Sequence, residues 1–437
     1  MKTKLSYFWE LISGSFWFIP LSIIILAILS AFGLIYLDIR TDYVPSGLMK
    51  YFFSGGAESA RSILSTTAGA MITVAGTVFS ITLVALTLAS SQFGPRLLQN
   101  FMHDRINQVV LGSYIATFIF CLLILRTVKS DTSAEFVPNI SVLFTVLIAI
   151  VNIFLLVIFI HHISVSIQAD HVISDINMKL HTQLRKLFPE EMGGEKEKPP
   201  SDKELSEIKK AFPEREDLKT TGNGYLQAVN NEGLMQAAVE NDLLIMLQYQ
   251  PGDFLTEKQH LVTVCSRGKL GETAREKIQR AFILGNKRTA TQDAEFAIHQ
   301  MVEIAARALS PGINDPYTAI TCIDYLTATL CYLTRSRFPS AYRYDDQKHL
   351  RVITKPLTFE GMMDAAFNQI RQYGENTPAI IIRLMESCIT IHESATLPKH
   401  RKTVEKHVEM LYNSARDSIK ERNDFKDLKE RYKKFKA

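Results

Sequence analysis

SILSTTAGAMITVAGTVFSITLVALTLA, residues 62–89, runs without one charged side chain. A helix rises about 1.5 Å per residue and needs about 20 apolar residues to cross the hydrocarbon core of a bilayer. This stretch is longer, enough to tilt or to extend past the bilayer. A lipid-exposed backbone must satisfy its hydrogen bonds within the segment, so helix is the open choice. Three more runs of the same kind flank it, at 16–37, 109–125 and 136–160. The first is too long for a cleaved signal peptide, and no small-residue cleavage site follows it. The expectation is an α-helical membrane protein with four transmembrane helices over residues 1–162.

Bulk composition conceals this division. The chain has 437 residues, 47% hydrophobic and 22% charged, with a formal net charge of +4. Those values suit an ordinary globular protein, and the charge is too small to point to nucleic acid. Nearly all the charge follows residue 163. The five cysteines, Cys121, Cys265, Cys322, Cys331 and Cys388, form no CxxC pair. They read as reduced, buried thiols, with no disulfide framework and no metal site. Lys2, Lys4, Arg96 and Arg105 fall on one side of the spans. Arg40, Lys50, Arg126 and Lys129 on the other are partly balanced by Asp38, Asp42, Asp131 and Glu135. With an even number of spans, this modest bias places both termini in the cytosol.

The second span differs from its neighbours. Thr66, Ala70, Thr73, Thr77, Ser80, Val84, Thr87 and Ser91 follow at alternating steps of four and three residues, with Gly69 and Gly76 beside them. That is one stripe on one helix face. Small residues and hydroxyls in this pattern pack helices closely, and the period suits a left-handed pair. They also suit a water-filled path that offers ions weak, uncharged contacts. Thr66, Thr73, Thr77, Ser80, Thr87 and Ser91 are therefore candidate pore-lining residues. A pore would require a homo-oligomer, since four spans hardly enclose one. No Asp, Glu, Lys or Arg lies within a span, which argues against ion-coupled pumping. Asn152 is the one amide well inside. At the inner mouth, SSQFGPRLLQNFMHDR (90–105) breaks the helix at Gly94-Pro95 and supplies Arg96, His103 and Arg105. These read as lipid-facing anchors or as a vestibule that concentrates anions. His161, His162, His171 and His181 follow the fourth span, as surface residues or as pH sensors.

Residues 163–188 keep a helical pattern, read as the fourth span continuing into a stalk. Residues 189–221 are charged and hold Gly193, Gly194, Pro199 and Pro200, and read as a linker. Residues 222–270 read as a small α/β unit: a strand at 224–230, a helix at 231–240, a strand at 242–249, a Pro251-Gly252-Asp253 turn and a strand at 260–265. Residues 271–437 read as helical. Asp293 is the expected cap of a helix over 294–309. SPGINDP (310–316) then turns the chain, with Asp315 capping the next helix and Pro316 at its first position. Arg288, Asp293, Ser310, Asn314 and Asp315 surround that turn as a candidate ligand or interdomain site. Two more helices are expected across 357–395, broken at 373–378, and a last one from about Val404 with a basic end, either solvated or held to anionic lipid. No GxSxG, Walker, GxGxxG, HExxH or EF-hand pattern occurs, so no catalytic residue, no cofactor and no enzyme activity is expected.

Five stretches resemble a family of bacterial predicted membrane proteins known only as a domain of unknown function, DUF2254. They are VAGTVFSITLVALTLASSQFGPRLL (74–98), HHISVSIQ (161–168), GYLQ (224–227), QPGDFL (250–255) and RTATQDAEFAIHQMVEIAARALSPGINDPYTA (288–319). The resemblance implies a bacterial cytoplasmic membrane and the same layout of four spans followed by a soluble domain. It carries no activity and no catalytic residues. The reading that follows is a homo-oligomeric channel-like protein in the lipid bilayer. Its second span lines a passive path for inorganic ions, and its cytosolic domain gates or assembles it. The alternative is a non-conducting, membrane-anchored sensor or scaffold whose cytosolic domain binds a ligand or partner.

Overall fold

The computed structural model describes residues 16–41, 56–94, 104–131, 134–187, 200–289 and 292–437. Lys2, Lys4, Asp42, Lys50, Arg96, His103 and residues 189–199 of the expected linker lie outside them. The chain divides into two compact units, Met1–Val172 and Ile173–Ala437.

The first unit holds α1 (Phe18–Thr41), α2 (Ala57–Phe93), α3 (Arg105–Leu125) and α4 (Asn139–Ser166), with a short hairpin of β1 (Lys129–Asp131) and β2 (Ala134–Phe136) between α3 and α4. All four helices are long and apolar enough to cross a membrane. The third packs against each of the others. The second runs past its expected limits at both ends. Arg61 is drawn into it because its Nη2 donates to the Val128 carbonyl at 3.0 Å. It stops at Gly94, whose N–H returns to the Ser90 carbonyl at 3.2 Å. The first turn of α4 has no cap of its own. Asp38 of α1 supplies it, accepting from Ile140 N at 2.9 Å, Ser141 N at 3.1 Å and Ser141 Oγ at 2.5 Å. A carboxylate at a helix N-terminus satisfies orphan N–H groups and the helix dipole together.

The expected continuous stalk is instead two helices. The fourth ends at Ser166, and α5 (Ala169–Leu187) starts after a turn in which the Gln168 carbonyl accepts from His171 and Val172 at 3.1 Å. Within the expected linker the structure places α6 (Asp202–Lys210) and β3 (Glu214–Lys219). Ser201 and Glu204 form a reciprocal capping box that starts α6, the S-x-x-E signature of a helix N-terminus.

The rest of the second unit contains β4 (Gly224–Val229), α7 (Asn231–Glu240), β5 (Leu244–Leu247), β6 (Phe254–Leu255), β7 (His260–Ser266), α8 (Glu272–Arg280), β8 (Phe282–Gly285), α9 (Phe296–Ala308), α10 (Pro316–Arg335), β9 (Tyr342–Tyr344), β10 (Leu350–Ile353), α11 (Phe359–Tyr373), α12 (Pro378–Ser394), α13 (Pro398–Ser418) and α14 (Arg422–Lys436). The strands form one sheet in the order β3-β7-β5-β10-β9 and a second in the order β6-β4-β8. All pairings are antiparallel except β10 with β5. Leu226, Leu234, Ile245, Val262, Val264 and Ile278 share one core beneath them. The α/β part therefore reaches well beyond 222–270, because β3, β8, β9 and β10 join it. Arg351 of β10, 8% exposed, pins that long connection by bonding Asp345 at 2.8 Å and Asp242 at 2.6 Å. The basic C-terminal stretch forms two helices where one was expected. The second packs back through Leu428, through the stack of Tyr432 on Tyr412, and through Arg431 to Glu386 at 3.0 Å.

Candidate functional site

The stripe on α2 is real as a face, and it lies on the outside. Thr66, Ala70, Thr73, Thr77, Ser80, Val84, Thr87 and Ser91 are all exposed. The opposite face, Ala57, Ala60, Leu64, Ala68, Met71, Ala75, Val78, Ala85 and Ala89, is buried against neighbouring helices. The hydroxyls are held by their own helix. Thr73 donates to the Gly69 carbonyl at 2.8 Å, Thr77 to Thr73 at 3.1 Å, Ser80 to Gly76 at 2.9 Å, Thr87 to Leu83 at 2.9 Å and Ser91 to Leu88 at 2.8 Å. Nothing lies within 4 Å of where a side chain on Gly69 or Gly76 would begin. The stripe therefore packs against nothing within the described part of its own unit. The outer faces of α1 and α4 are apolar, carrying Ile25, Leu26, Leu29, Phe32, Ile153, Phe154 and Val157, and on α2 the hydroxyl row is flanked by exposed Ile72, Phe79, Ile81, Leu83 and Leu88.

One set of polar groups inside the four helices centres on Asn152, which is fully buried. Ser113 Oγ donates to its Oδ1 at 2.6 Å, its Nδ2 donates to Thr117 Oγ1 at 2.8 Å, and Tyr114 Oη donates to its backbone carbonyl at 2.6 Å. This joins α3 to α4 without leaving the amide unmet, the condition for a polar group in a dry interior. Of the expected inner-mouth residues, Arg105 is the exposed first residue of α3. Asp104, which sequence reasoning passed over, caps that helix at Ile106 N at 2.8 Å and pairs with His162. His161 and His171 are exposed. His181 sits beside Tyr332, ring centroids 6.2 Å apart, where burial, and then Arg185, hold its ring below the usual histidine range.

The candidates after residue 280 separate into two groups. Arg288 and Asp293 form one: Nε and Nη2 of the arginine each lie 2.7 Å from Asp293 Oδ2, and Asp293 is 3% exposed. Asp293 Oδ1 accepts from Glu295 N at 3.1 Å, and α9 starts only at Phe296. Asp293 is thus chiefly half of a buried ion pair, where the sequence suggested a helix cap. Gly252, with φ +103°, lies against the pair, and a side chain there would begin 2.5 Å from Asp293 Oδ2. Gly252 N donates to the Leu226 carbonyl at 2.8 Å, Leu226 N donates to the Asp253 carbonyl at 2.9 Å, and Gln227 Nε2 donates to the Lys287 carbonyl at 2.8 Å. GYLQ, QPGDFL and the start of RTATQDAEF, far apart in sequence, meet at this one junction between the smaller sheet and α9.

Ser310, Asn314 and Asp315 form the other group, and they build a turn. Ser310 Oγ donates to the Arg307 carbonyl at 2.6 Å, Asn314 takes a left-handed φ of +50°, and Asp315 caps α10 by accepting from Thr318 N at 3.1 Å and Thr318 Oγ1 at 2.6 Å. Pro316 occupies the first turn, as its fixed φ favours. Among the described residues no group of three or more His, Cys, Asp or Glu side chains could hold a metal ion.

Relatives exist but bring no activity. An uncharacterized protein of Mycobacterium tuberculosis and one of Mycobacterium bovis are each 29% identical over 425 residues, spanning 95% of this chain and 79% of the relative. No solved structure matches this chain. A family model described as a predicted membrane protein matches residues 13–390, from before the first apolar helix into α12. The chain belongs to that family, the DUF2254 predicted membrane proteins.

Proposed function

We propose that the protein assembles as a homo-oligomer through the outward face of α2, and that the copies enclose a passive path for small ions along it. The observation that carries this reading is the inversion of that helix. Its alanine face is buried, while its hydroxyl and glycine row is exposed. Lipid tails gain nothing from such a row, whereas a second helix can approach it closely. Copies meeting at a dry seam would make the interface, and copies ringed around a wet one would make the path. Arg105 at the start of α3 favours anions at the mouth, and the unit after residue 173 lies in the cytosol, where it gates the path or holds the copies together. A second reading is kept alive by one observation. The stripe hydroxyls already donate to their own carbonyls, so the seam needs no water, and the protein could serve as a non-conducting sensor or scaffold.

The test is ion flux through the purified protein in liposomes, wild type beside Thr77→Leu/Ser80→Leu, with the assembly state of each measured by native mass spectrometry. Flux that disappears in a still-assembled variant supports the path. An assembled wild type that passes no ion under any salt, pH or voltage moves the assignment to the scaffold. A monomeric wild type removes the path and the α2 seam, and leaves only a membrane-anchored sensor.

A further inference from the structure

The last helix carries more of the chain's charge than its length accounts for. Residues 418–437 hold eight Lys or Arg against four Asp or Glu, which is the whole of the net +4. The rest of the chain is balanced. This stretch also lies beyond residues 13–390, the part that the family model matches.

The structure sorts these charges by face. The apolar side of α14 turns inward. Leu428 is buried, Tyr432 stacks on Tyr412 with ring centroids 4.1 Å apart, and Phe435 lies 4.8 Å from His392. Two cations of the helix are paired, Arg431 with Glu386 and Asp427, and Lys436 with Glu409 at 2.6 Å. On the outward side Arg422, Lys426, Lys429 and Lys433 follow at steps of four, three and four residues, the spacing of one helix face. All four are exposed, and none has an acidic partner among the described residues. At about 1.5 Å per residue they make a row about 16 Å long. Like charges at these spacings repel and weaken a helix, whereas mixed signs would support it. A face that served only to keep α14 solvated would gain from acids in the row.

We propose that this row adsorbs the second unit to the anionic phospholipid headgroups of the bilayer that holds the chain's own apolar helices. Charge and tether together select this occupant. The fourth helix ends at Ser166 and the second unit begins at Ile173, so a bilayer surface accompanies this unit at high effective concentration. A row of cations gains from a plane of negative headgroups without any fixed geometry. The contact is superficial. An interfacial helix buries its apolar face in the lipid, but that face of α14 is already packed on α12 and α13. The proposal rests on the chain being a membrane protein and is independent of whether its helices conduct.

The experiment is brief amine labelling of the full-length protein in lipid nanodiscs, read lysine by lysine by peptide mass spectrometry. One set of discs is phosphatidylcholine alone, and the other is phosphatidylcholine mixed with phosphatidylglycerol. Labelling of Lys426, Lys429 and Lys433 is expected to fall about fivefold in the mixed discs, the scale of one cation held near an anionic surface. Lys203 and Lys258, exposed elsewhere on the unit, are expected to stay unchanged. The fall should vanish in about 1 M salt, where charges are screened beyond about 3 Å. Lys426→Gln/Lys433→Gln changes exposed side chains alone and leaves Lys429 as the reporter, which is expected to recover most of the fivefold. Equal labelling in the two discs, an equal fall at every lysine, a fall that persists in high salt, or no recovery in the variant overturns the proposal. Protection of Lys429 by soluble polyglutamate where the mixed discs give none also overturns it, and assigns the row to an acidic protein.

Discussion

Replacing Asp293 by alanine is expected to weaken the second unit more than any exposed carboxylate would. The side chain is 3% exposed, receives two arginine N–H groups at 2.7 Å and one backbone N–H at 3.1 Å, and leaves Arg288 at 24% side-chain exposure without its counter-charge when removed. Breaking a buried pair from one side costs about 3–5 kcal/mol. Arg288 keeps some water, so the lower end of that range applies, about 3 kcal/mol. With a urea dependence of about 3 kcal/mol per molar, the unfolding midpoint falls by about 1 M. The protein carries its own reporters. Cys265, Cys322 and Cys388 are buried in β7, α10 and α12, and burial raises each thiol's pKa. Maleimide labelling of the full-length protein across a urea series, read by peptide mass spectrometry, therefore reports when this unit opens, and Cys121 in α3 serves as an internal reference. The double variant Arg288→Met/Asp293→Leu should recover much of the loss, because no charge is then stranded. A midpoint for Asp293→Ala no lower than that of Asp346→Ala, an exposed residue, would refute the argument that this junction holds the sheet to α9.

Gly252→Ala presses on the same pair from the other side. A positive φ and a contact of 2.5 Å to Asp293 Oδ2 together cost about 2–4 kcal/mol, and the same labelling assay should place it near Asp293→Ala. In the membrane unit, Asn152→Leu strands Ser113 and Thr117 and should cost about 1–2 kcal/mol, read as an earlier thermal aggregation temperature in detergent with Asn152→Gln closer to wild type. His407, 2% exposed and 3.0 Å from Asp364, has its pKa pushed down by burial, with Asp364 opposing. The unfolded chain therefore binds a proton that the folded chain resists. Stability is full above the ordinary value of 6.5 and is lost as pH falls from there toward the folded value. Urea midpoints by cysteine labelling at pH 7.5 and 5.5 should differ by less in His407→Gln than in wild type.

The local grammar of the sequence carried much of the second unit. Asn231–Glu240 is a helix with Asn230 accepting from Gly233 N at 3.0 Å, and Asp315-Pro316 begins α10 as its capping chemistry requires. What could not be read were the long-range pairings. Strand β10 lies parallel to β5 with Val352 opposite Ile245, and no local period encodes a partner so distant in the chain. Arg351 does leave a trace, since a charged residue amid Leu350, Val352 and Ile353 must find acids, and it finds Asp242 and Asp345. The capping box Ser201–Glu204 was legible and was masked by the charge around it, which resembles a linker. Asp293 was read as a cap because Asp before an alanine-rich helix usually is one. Nothing within five residues of sequence shows that Gly252 would seat itself against the same carboxylate.

The second span shows the deeper limit. Its period announced a face, and the face exists, but a period cannot say which side of a helix turns inward. Two seams run along α2 at nearly the same spacing. One is made of alanines with Leu64, Met71 and Val78, and the other of threonines and serines with Gly69 and Gly76. Both are narrow enough for another helix. The alanine seam takes the partners inside the chain because it offers close approach without polar atoms that must be matched. The hydroxyl seam is left outside, its hydrogen bonds closed on its own backbone. In water, a polar face turned outward needs no further account. In a bilayer the outward side is the apolar one, as α1 and α4 show with their leucines, isoleucines and phenylalanines. On α2 the outward side is mixed, the hydroxyl row running beside exposed Ile72, Phe79, Ile81, Leu83 and Leu88, and it is the row of small residues that would admit another helix closely. That is why the oligomeric state and the flux must be measured on the same sample, since either result alone leaves the outward seam without a purpose.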